Sequence, residues 1–296
     1  MQNHSIKKIT IIGVGLIGGS FGQGIKKRLP NIHIMGFGSS KTKLSRAVEL
    51  NIIDEFSLDI ATAIEHADLI FIAVPMGAFE TIFSKIKPYL KPGAIITDAG
   101  SSKESVIQAA KNVFGQEFSQ FIPSHPIAGK EKSGVEAADG DLYINHKVII
   151  TPTKFNSVTD ISLVKNLWQT LGAEVIEMEA SYHDEVLAAT SHLPHLLAFG
   201  LVDLLTDNKN LGDVFQYTAG GFRDFTRIAS SDPTMWRDIA TYNSESLAKW
   251  LKSYQIELNK MITMVENKQG EELYSLFERA RDSRNQLIKE SDDNGK

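Results

Sequence analysis

From Lys7 to about Met178, short β-branched runs recur along the chain: KITIIGV, IHIMGF, DLIFIAV, AIITDAG, FIPSHPI, KVIITP and EVIEM. Helix-like segments such as KTKLSRAVEL, SSKESVIQAAKNVF and SVTDISLVKNLWQTLG lie between them. This alternation predicts a mostly parallel sheet with helices on both faces, because parallel neighbours need a long crossover. After about Ser181 the strand-like runs stop. Apolar spacing of 3.6 residues continues through SLAKWLKSYQIELNKMITMVENKQGEELYSLFERARDSRNQLI, which predicts an all-helical second part. The expected division is residues 1–180 and 181–296, with a frayed tail at SDDNGK.

The first predicted strand runs directly into Gly13-x-Gly15-x-x-Gly18, which opens the first helix. Glycines here permit a tight turn, a close approach of backbone to a pyrophosphate, and contact between helix and strand. The helix N-terminus then offers unpaired N–H groups and a favourable dipole to phosphate. Gly13, Gly15, Leu16, Ile17 and Gly18 therefore form the expected cofactor turn of a Rossmann-type α/β domain; the alternative is a glycine-rich turn with no ligand. At the end of the second strand Gly38 stands where an NAD-preferring site usually has a carboxylate for the ribose hydroxyls. Ser39, Ser40, Lys41 and Lys43 follow. Hydroxyls and an ammonium group suit a 2′-phosphate, so the cofactor is NAD or NADP with a lean to NADP. Alternatively these residues only cap and charge the next helix.

Composition narrows the classes. A net charge of −5 and the lack of a basic tract interleaved with aromatics argue against nucleic-acid binding. With no cysteine, thiol nucleophiles, disulfides and Cys-type zinc sites are excluded. The opening MQNHSIKKITIIGVG lacks a signal-peptide pattern, and no apolar run reads as long enough to span a bilayer. A cytoplasmic protein is expected.

Four stretches carry candidate chemistry. In TDAGSSK, Ser101 follows a strand, where a helix N-cap would also explain it. In SHPIAGKEKSG, His125 ends a strand, a place from which an imidazole can take a proton near neutral pH, or simply be structural. In GGFRDFTRIASSDPTMWRD, Arg223 and Arg227 share a helix face with Asp224 between them, suited to a substrate carboxylate or to an internal ion-pair network. In SHLPHLLAF, His192 and His195 sit three apart in an apolar run. Alone, that pair reads as core, and no carboxylate or thiolate pattern beside it demands a metal.

Together and in this order, SHPIAGKEKSG, SHLPHLLAF and GGFRDFTRIASSDPTMWRD behind the glycine turn resemble the prephenate dehydrogenase family of tyrosine biosynthesis, from about Lys7 to Leu287. The resemblance implies oxidative decarboxylation of prephenate to 4-hydroxyphenylpyruvate, with hydride passing from ring C4 to a nicotinamide, and a homodimer formed through the helical part. It implies that His125 accepts the C4 hydroxyl proton, that Ser101 hydrogen-bonds that hydroxyl, and that Arg227 binds the ring carboxylate. By the same resemblance Ser191, His192 and His195 line the substrate pocket, Glu131 stands at its mouth and Trp236 forms an aromatic wall. The second histidine of SHLPH favours prephenate over its amino analogue arogenate. An arogenate or broad cyclohexadienyl dehydrogenase is the alternative, and a catalytically silent dinucleotide sensor a further one. His183, in SYHDEV, receives no role.

Overall fold

The computed structural model describes residues 6–130, 132–208, 212 and 214–294, with side chains as far as 287. Glu131, expected at the pocket mouth, lies outside the described residues. The α/β part runs β1 (Lys8–Ile12), α1 (Leu16–Arg28), β2 (His33–Phe37), α2 (Lys41–Glu49), β3 (Glu55–Ser57), α3 (Ile60–Ile64), β4 (Leu69–Ile72), α4 (Phe79–Ile86), β5 (Ile95–Asp98) and α5 (Lys103–Phe114). Then come β6 (Phe121–Ile122), β7 (Ser124–Pro126), β8 (Lys147–Ile150), α6 (Val158–Thr170) and β9 (Glu174–Glu177). Helices follow: α7 (Ala180–Leu187), α8 (Leu193–Asp207), α9 (Gly220–Thr226), α10 (Pro233–Tyr242), α11 (Ser244–Glu266) and α12 (Gly270–Asn294).

Six strands form one parallel sheet in the order β3-β2-β1-β4-β5-β6. Such a sheet must be covered on both faces, so its inner strands β1, β4 and β5 are mostly apolar on both faces rather than alternating. In β4, Leu69 and Phe71 enter one core with Phe21 and Ile25 of α1 and Trp168 of α6. Ile70 and Ile72 enter the other, with Phe79 and Phe83 of α4 and Val106 of α5. Phe21 stacks on Phe71 at 4.1 Å between ring centroids, with Trp168 edge-on at 5.2 Å from Phe21. The order in which strands are added reverses between β1 and β4, β2 and β3 lying to one side and β4, β5 and β6 to the other. At that switch point the carboxyl ends of the strands open a crevice, the usual ligand position in open α/β sheets.

Two strand expectations change. FIPSHPI is two strands, with β6 on β5 of the main sheet and β7 on β8 of a second sheet ordered β7-β8-β9. Pro123 separates them: it has no N–H for a ladder, and its carbonyl accepts the Thr151 amide at 3.0 Å. β3 was not foreseen, being only three residues with no apolar run.

The expectation that no run is long enough to span a bilayer is also corrected. Ala180–Asp207 is one continuous 28-residue helical stretch, long and apolar enough by length and composition to cross a membrane. A π segment at Ala188–His192 carries the helix through, with the Leu193 amide reaching back to the Ala188 carbonyl. Along it His183, Asp184 and His192 are buried and hydrogen-bonded to other protein groups. By contact density the chain divides between Ser246 and Leu247, inside α11. The last two helices expose Ile256, Ile262, Val265, Tyr274 and Phe277.

Candidate active site

The glycine turn divides its labour residue by residue. Gly13 has φ +95°, and a Cβ there would lie 2.3 Å from the Ala73 carbonyl oxygen at the end of β4. Gly18 brings α1 against the turn, where a Cβ would sit 2.0 Å from the Gly13 carbonyl oxygen. Around Gly15 a Cβ would meet nothing within 4 Å, and no side chain caps α1 there. An open space facing uncapped helix amides is what a pyrophosphate needs. Leu16 and Ile17 begin the helix and rest against the core, and the Ile17 carbonyl accepts the Tyr143 hydroxyl at 2.7 Å. At the end of β2, the Ser40 hydroxyl accepts the Lys43 amide at 3.3 Å and caps α2, while Ser39 and Lys41 are exposed. The capping alternative therefore holds for Ser40 at least.

His125 is held by the strand that carries it. The preceding Ser124 donates its amide to Asp98 Oδ1 at 2.9 Å and its hydroxyl to the Asp98 carbonyl. Its own carbonyl accepts Lys103 Nζ at 2.7 Å, and Lys103 pairs with Asp98 Oδ2 at 2.5 Å with both side chains fully buried. This knot ties β7 to the carboxyl end of β5. Ser101 lies in the β5–α5 loop of the same knot, half-buried, and no hydrogen bond joins it to His125. Ser102 occupies the N-cap position, so Ser101 is not the capping residue.

What caps α5 comes from elsewhere. Asp184 of α7 accepts the Lys103 amide at 2.7 Å, the Glu104 amide at 3.0 Å and the Ser102 hydroxyl at 3.0 Å. The same carboxylate meets His183 Nδ1 at 2.7 Å, and His183 Nε2 lies 2.9 Å from His125 Nδ1. Burial opposes the charge on Asp184, yet the bonds from His183 and the two amides hold its pKa below the usual carboxylate range. Burial, and then the neighbouring His183, Lys103 and His192, push His125 well below the ordinary histidine value. It is neutral at pH 7 and able to accept a proton. Sequence reasoning gave His183 and Asp184 no role; the only signal in the chain was an adjacent His-Asp pair in SYHDEV, just ahead of SHLPH.

The π segment sets the next two histidines, a common use of such bulges. Asn243 Nδ2 donates to the Asp184 carbonyl at 2.8 Å and faces His192 Nδ1 at 3.2 Å, so His192 accepts at Nδ1 and presents Nε2–H. Burial drops its pKa to about 4. His195 Nδ1 donates to the Ser191 carbonyl at 2.8 Å, which leaves its Nε2 an acceptor while the ring is neutral. The ring stacks on Trp236 at 3.7 Å, and Trp236 Nε1 is buried without a partner among the described residues. Burial lowers the pKa of His195, against its bond to Ser191, and the positive charge of Arg227 lowers it further. Arg227 begins a short 3-10 turn just past α9, so Arg223 and Arg227 do not share one regular helix face.

Two family matches cover most of this architecture, beginning after the glycine turn. Residues 21–177 match the nucleotide-binding domain of prephenate dehydrogenase, and residues 179–279 its dimerization domain. The chain belongs to the prephenate dehydrogenase family. Among curated relatives, a cyclohexadienyl dehydrogenase of Zymomonas mobilis is 35% identical over 94% of this chain and 95% of its own. A prephenate dehydrogenase of Bacillus subtilis is 35% identical over 97% of this chain and 77% of its own. The crystal structure of A. aeolicus prephenate dehydrogenase with hydroxyphenyl propionate and NAD+ superimposes with a TM-score of 0.90, at 36% identity over 96% and 99% of the two chains. Membership makes the chain an oxidoreductase, and its glycine cradle fits a nicotinamide dinucleotide.

Proposed function

We propose that this chain oxidatively decarboxylates prephenate to 4-hydroxyphenylpyruvate with a nicotinamide cofactor, as a step of tyrosine biosynthesis in the cytoplasm. The observation that carries the reading is a neutral His125 whose Nε2 has no hydrogen-bond partner among the described residues, held at the carboxyl end of the sheet that bears the cradle. When bound, the cofactor supplies the acceptor for the hydride leaving ring C4. His125 Nε2 takes the C4 hydroxyl proton as that carbon becomes a carbonyl, general-base help worth roughly 10²–10⁴-fold. Loss of the ring carboxyl as CO2 then restores aromaticity. Ser101 bonds the same hydroxyl, and Arg227 fixes the ring carboxylate through a charge-assisted hydrogen bond of about 1.5–3 kcal/mol. Ser191, His192, His195 and Trp236 form the pocket wall. Gly13, Gly15, Leu16, Ile17 and Gly18 hold the pyrophosphate, and Ser39, Ser40 and Lys41 stand near the ribose, leaning the choice to NADP.

Residues 1–180 serve as the dinucleotide module and 181–296 as the substrate and dimer module. A homodimer is supported by the matched dimerization domain and by the exposed apolar residues of α11 and α12.

A second reading has its own observation. Neutral His195 presents a lone pair at Nε2, which suits the ammonium of arogenate better than the keto oxygen of prephenate. The similarity to a cyclohexadienyl dehydrogenase supports a broad enzyme of this kind. The test is nicotinamide reduction with prephenate and arogenate, each crossed with NAD and NADP. Turnover of prephenate is expected. Arogenate turnover alone would move the assignment to the second reading, and no turnover in any combination would overturn both.

A further inference from the structure

His183 and Asp184 are buried, polar, and unused by the chemistry above. Among the described residues, the four hydrogen bonds of the Asp184 carboxylate all come from donors: the Lys103 and Glu104 amides, the Ser102 hydroxyl, and His183. Two backbone amides at the start of α5 cannot reverse their direction, so this carboxylate is anchored as an acceptor and is favoured by the helix dipole. His183 must then carry its proton on Nδ1. A neutral ring protonated at Nδ1 is an acceptor at Nε2. The atom facing that lone pair at 2.9 Å is His125 Nδ1, which therefore donates. His125 in turn has its lone pair on Nε2. The direction of every hydrogen bond follows from the helix terminus outward.

We propose that His183 and Asp184 are positioning residues which lock His125 in the Nδ1–H tautomer, leaving Nε2 as the base, and which face the imidazolium that forms with a lone pair backed by a carboxylate. The inference rests on His125 being the base proposed above. When the substrate hydroxyl proton arrives on His125 Nε2, the Nδ1 proton keeps its acceptor, and the bond becomes charge-assisted and stronger without any group moving. The same carboxylate caps α5, which joins the catalytic histidine to the helix following the β5 loop. The partner of His125 Nδ1 stands 58 positions away in the chain.

The first measurement is 15N NMR of the intact protein with labelled histidines, which reads tautomers without turnover. His125 is expected as Nδ1–H; finding it as Nε2–H overturns the proposal. The second compares His183→Phe, which removes the acceptor, with His183→Gln, whose carboxamide oxygen can accept from His125. We expect His183→Phe to lower kcat by roughly 10²-fold, within the range of general-base contributions. Cofactor affinity should be unchanged and KM moved far less, and His183→Gln should recover about tenfold of the loss. Parental kcat in His183→Phe, or equal losses in both variants, would overturn the role. Should His183→Phe fail to fold, the tautomer in the parent protein decides alone. Should the parent turn over neither cyclohexadienyl substrate, the dehydrogenase reading falls while the tautomer measurement still stands or falls by itself.

Discussion

The glycine cradle and the histidine cluster do their work by different means. In the cradle the backbone binds, and backbone obeys local rules: a positive φ at Gly13, an open face at Gly15, a close approach at Gly18. All three constraints lie within six residues and leave a spacing that can be read directly. In the cluster the side chains work, and what each can do depends on which atom its neighbour offers. His125, His183, His192 and His195 are the same residue type, yet their partners are a histidine, a carboxylate, a carboxamide and a carbonyl. Residue identity gives the chemistry available; only the three-dimensional partner gives the proton's position.

The cradle can be split by two substitutions of equal size. Gly13→Ala puts a Cβ 2.3 Å from a carbonyl oxygen at a φ that L residues avoid, so the fold itself should lose on the order of 3 kcal/mol. Gly15→Ala meets nothing within 4 Å, and its φ of −101° is ordinary. Its stability should stay within about 0.5 kcal/mol of the parent, as for other uncrowded sites. Its cofactor affinity should drop about tenfold, roughly 1.4 kcal/mol. Denaturant unfolding and cofactor titration of both variants separate the two effects. Unchanged affinity in Gly15→Ala would mean that the open face is not the pyrophosphate's.

This contrast also accounts for what the amino-acid sequence disclosed. The alternation of apolar runs and helical segments was legible because a parallel sheet demands apolar strands and crossover helices in turn. β3 escaped because three residues carry no period, and β6 and β7 were read as one because Pro123 interrupts pairing without interrupting the apolar run. The long helix through His192 was not foreseen, since a π turn leaves no pattern of its own. For the site, the motifs drew attention to His125, His192 and His195. His183 and Asp184 were passed over because their significance is a pair of contacts with α5 and β7, which no spacing encodes.

If the cluster is built from neutral buried histidines, acid should attack it before it attacks the sheet. His192 falls from 6.5 to about 4 on folding, because burial disfavours its charged form. The unfolded chain therefore binds a proton first as pH drops. Stability from this group is whole above pH 6.5, is lost as pH falls from 6.5 towards 4, and changes no further below that. The full loss is on the order of 3 kcal/mol. His125 and His183, also lowered mainly by burial, add to it with the same sign. Surface carboxylates such as Asp54 and Asp68 have lowered values, despite the opposing cost of burial, and act at more acidic pH. Comparing the parent with His192→Gln by urea unfolding at pH 7 and pH 5 isolates the group: the variant should lose less on acidification. Equal losses would show that His192 is not buried neutral.

The smallest effect expected tests the one part of the cradle that side chains rather than backbone decide. At Gly38 a Cβ would sit 3.7 to 3.9 Å from atoms of the Leu44 side chain, an ordinary contact, so the backbone does not require glycine. An aspartate fits there without strain. Its carboxylate would accept ribose hydroxyls and repel a 2′-phosphate, so Gly38→Asp should move the ratio of kcat/KM for NAD over NADP towards NAD by about tenfold, roughly 1.4 kcal/mol. Steady-state kinetics with each cofactor measure it. A ratio that does not move would place the end of β2 away from the ribose, and Ser39, Ser40 and Lys41 would then serve α2 alone, as the Ser40 cap already does.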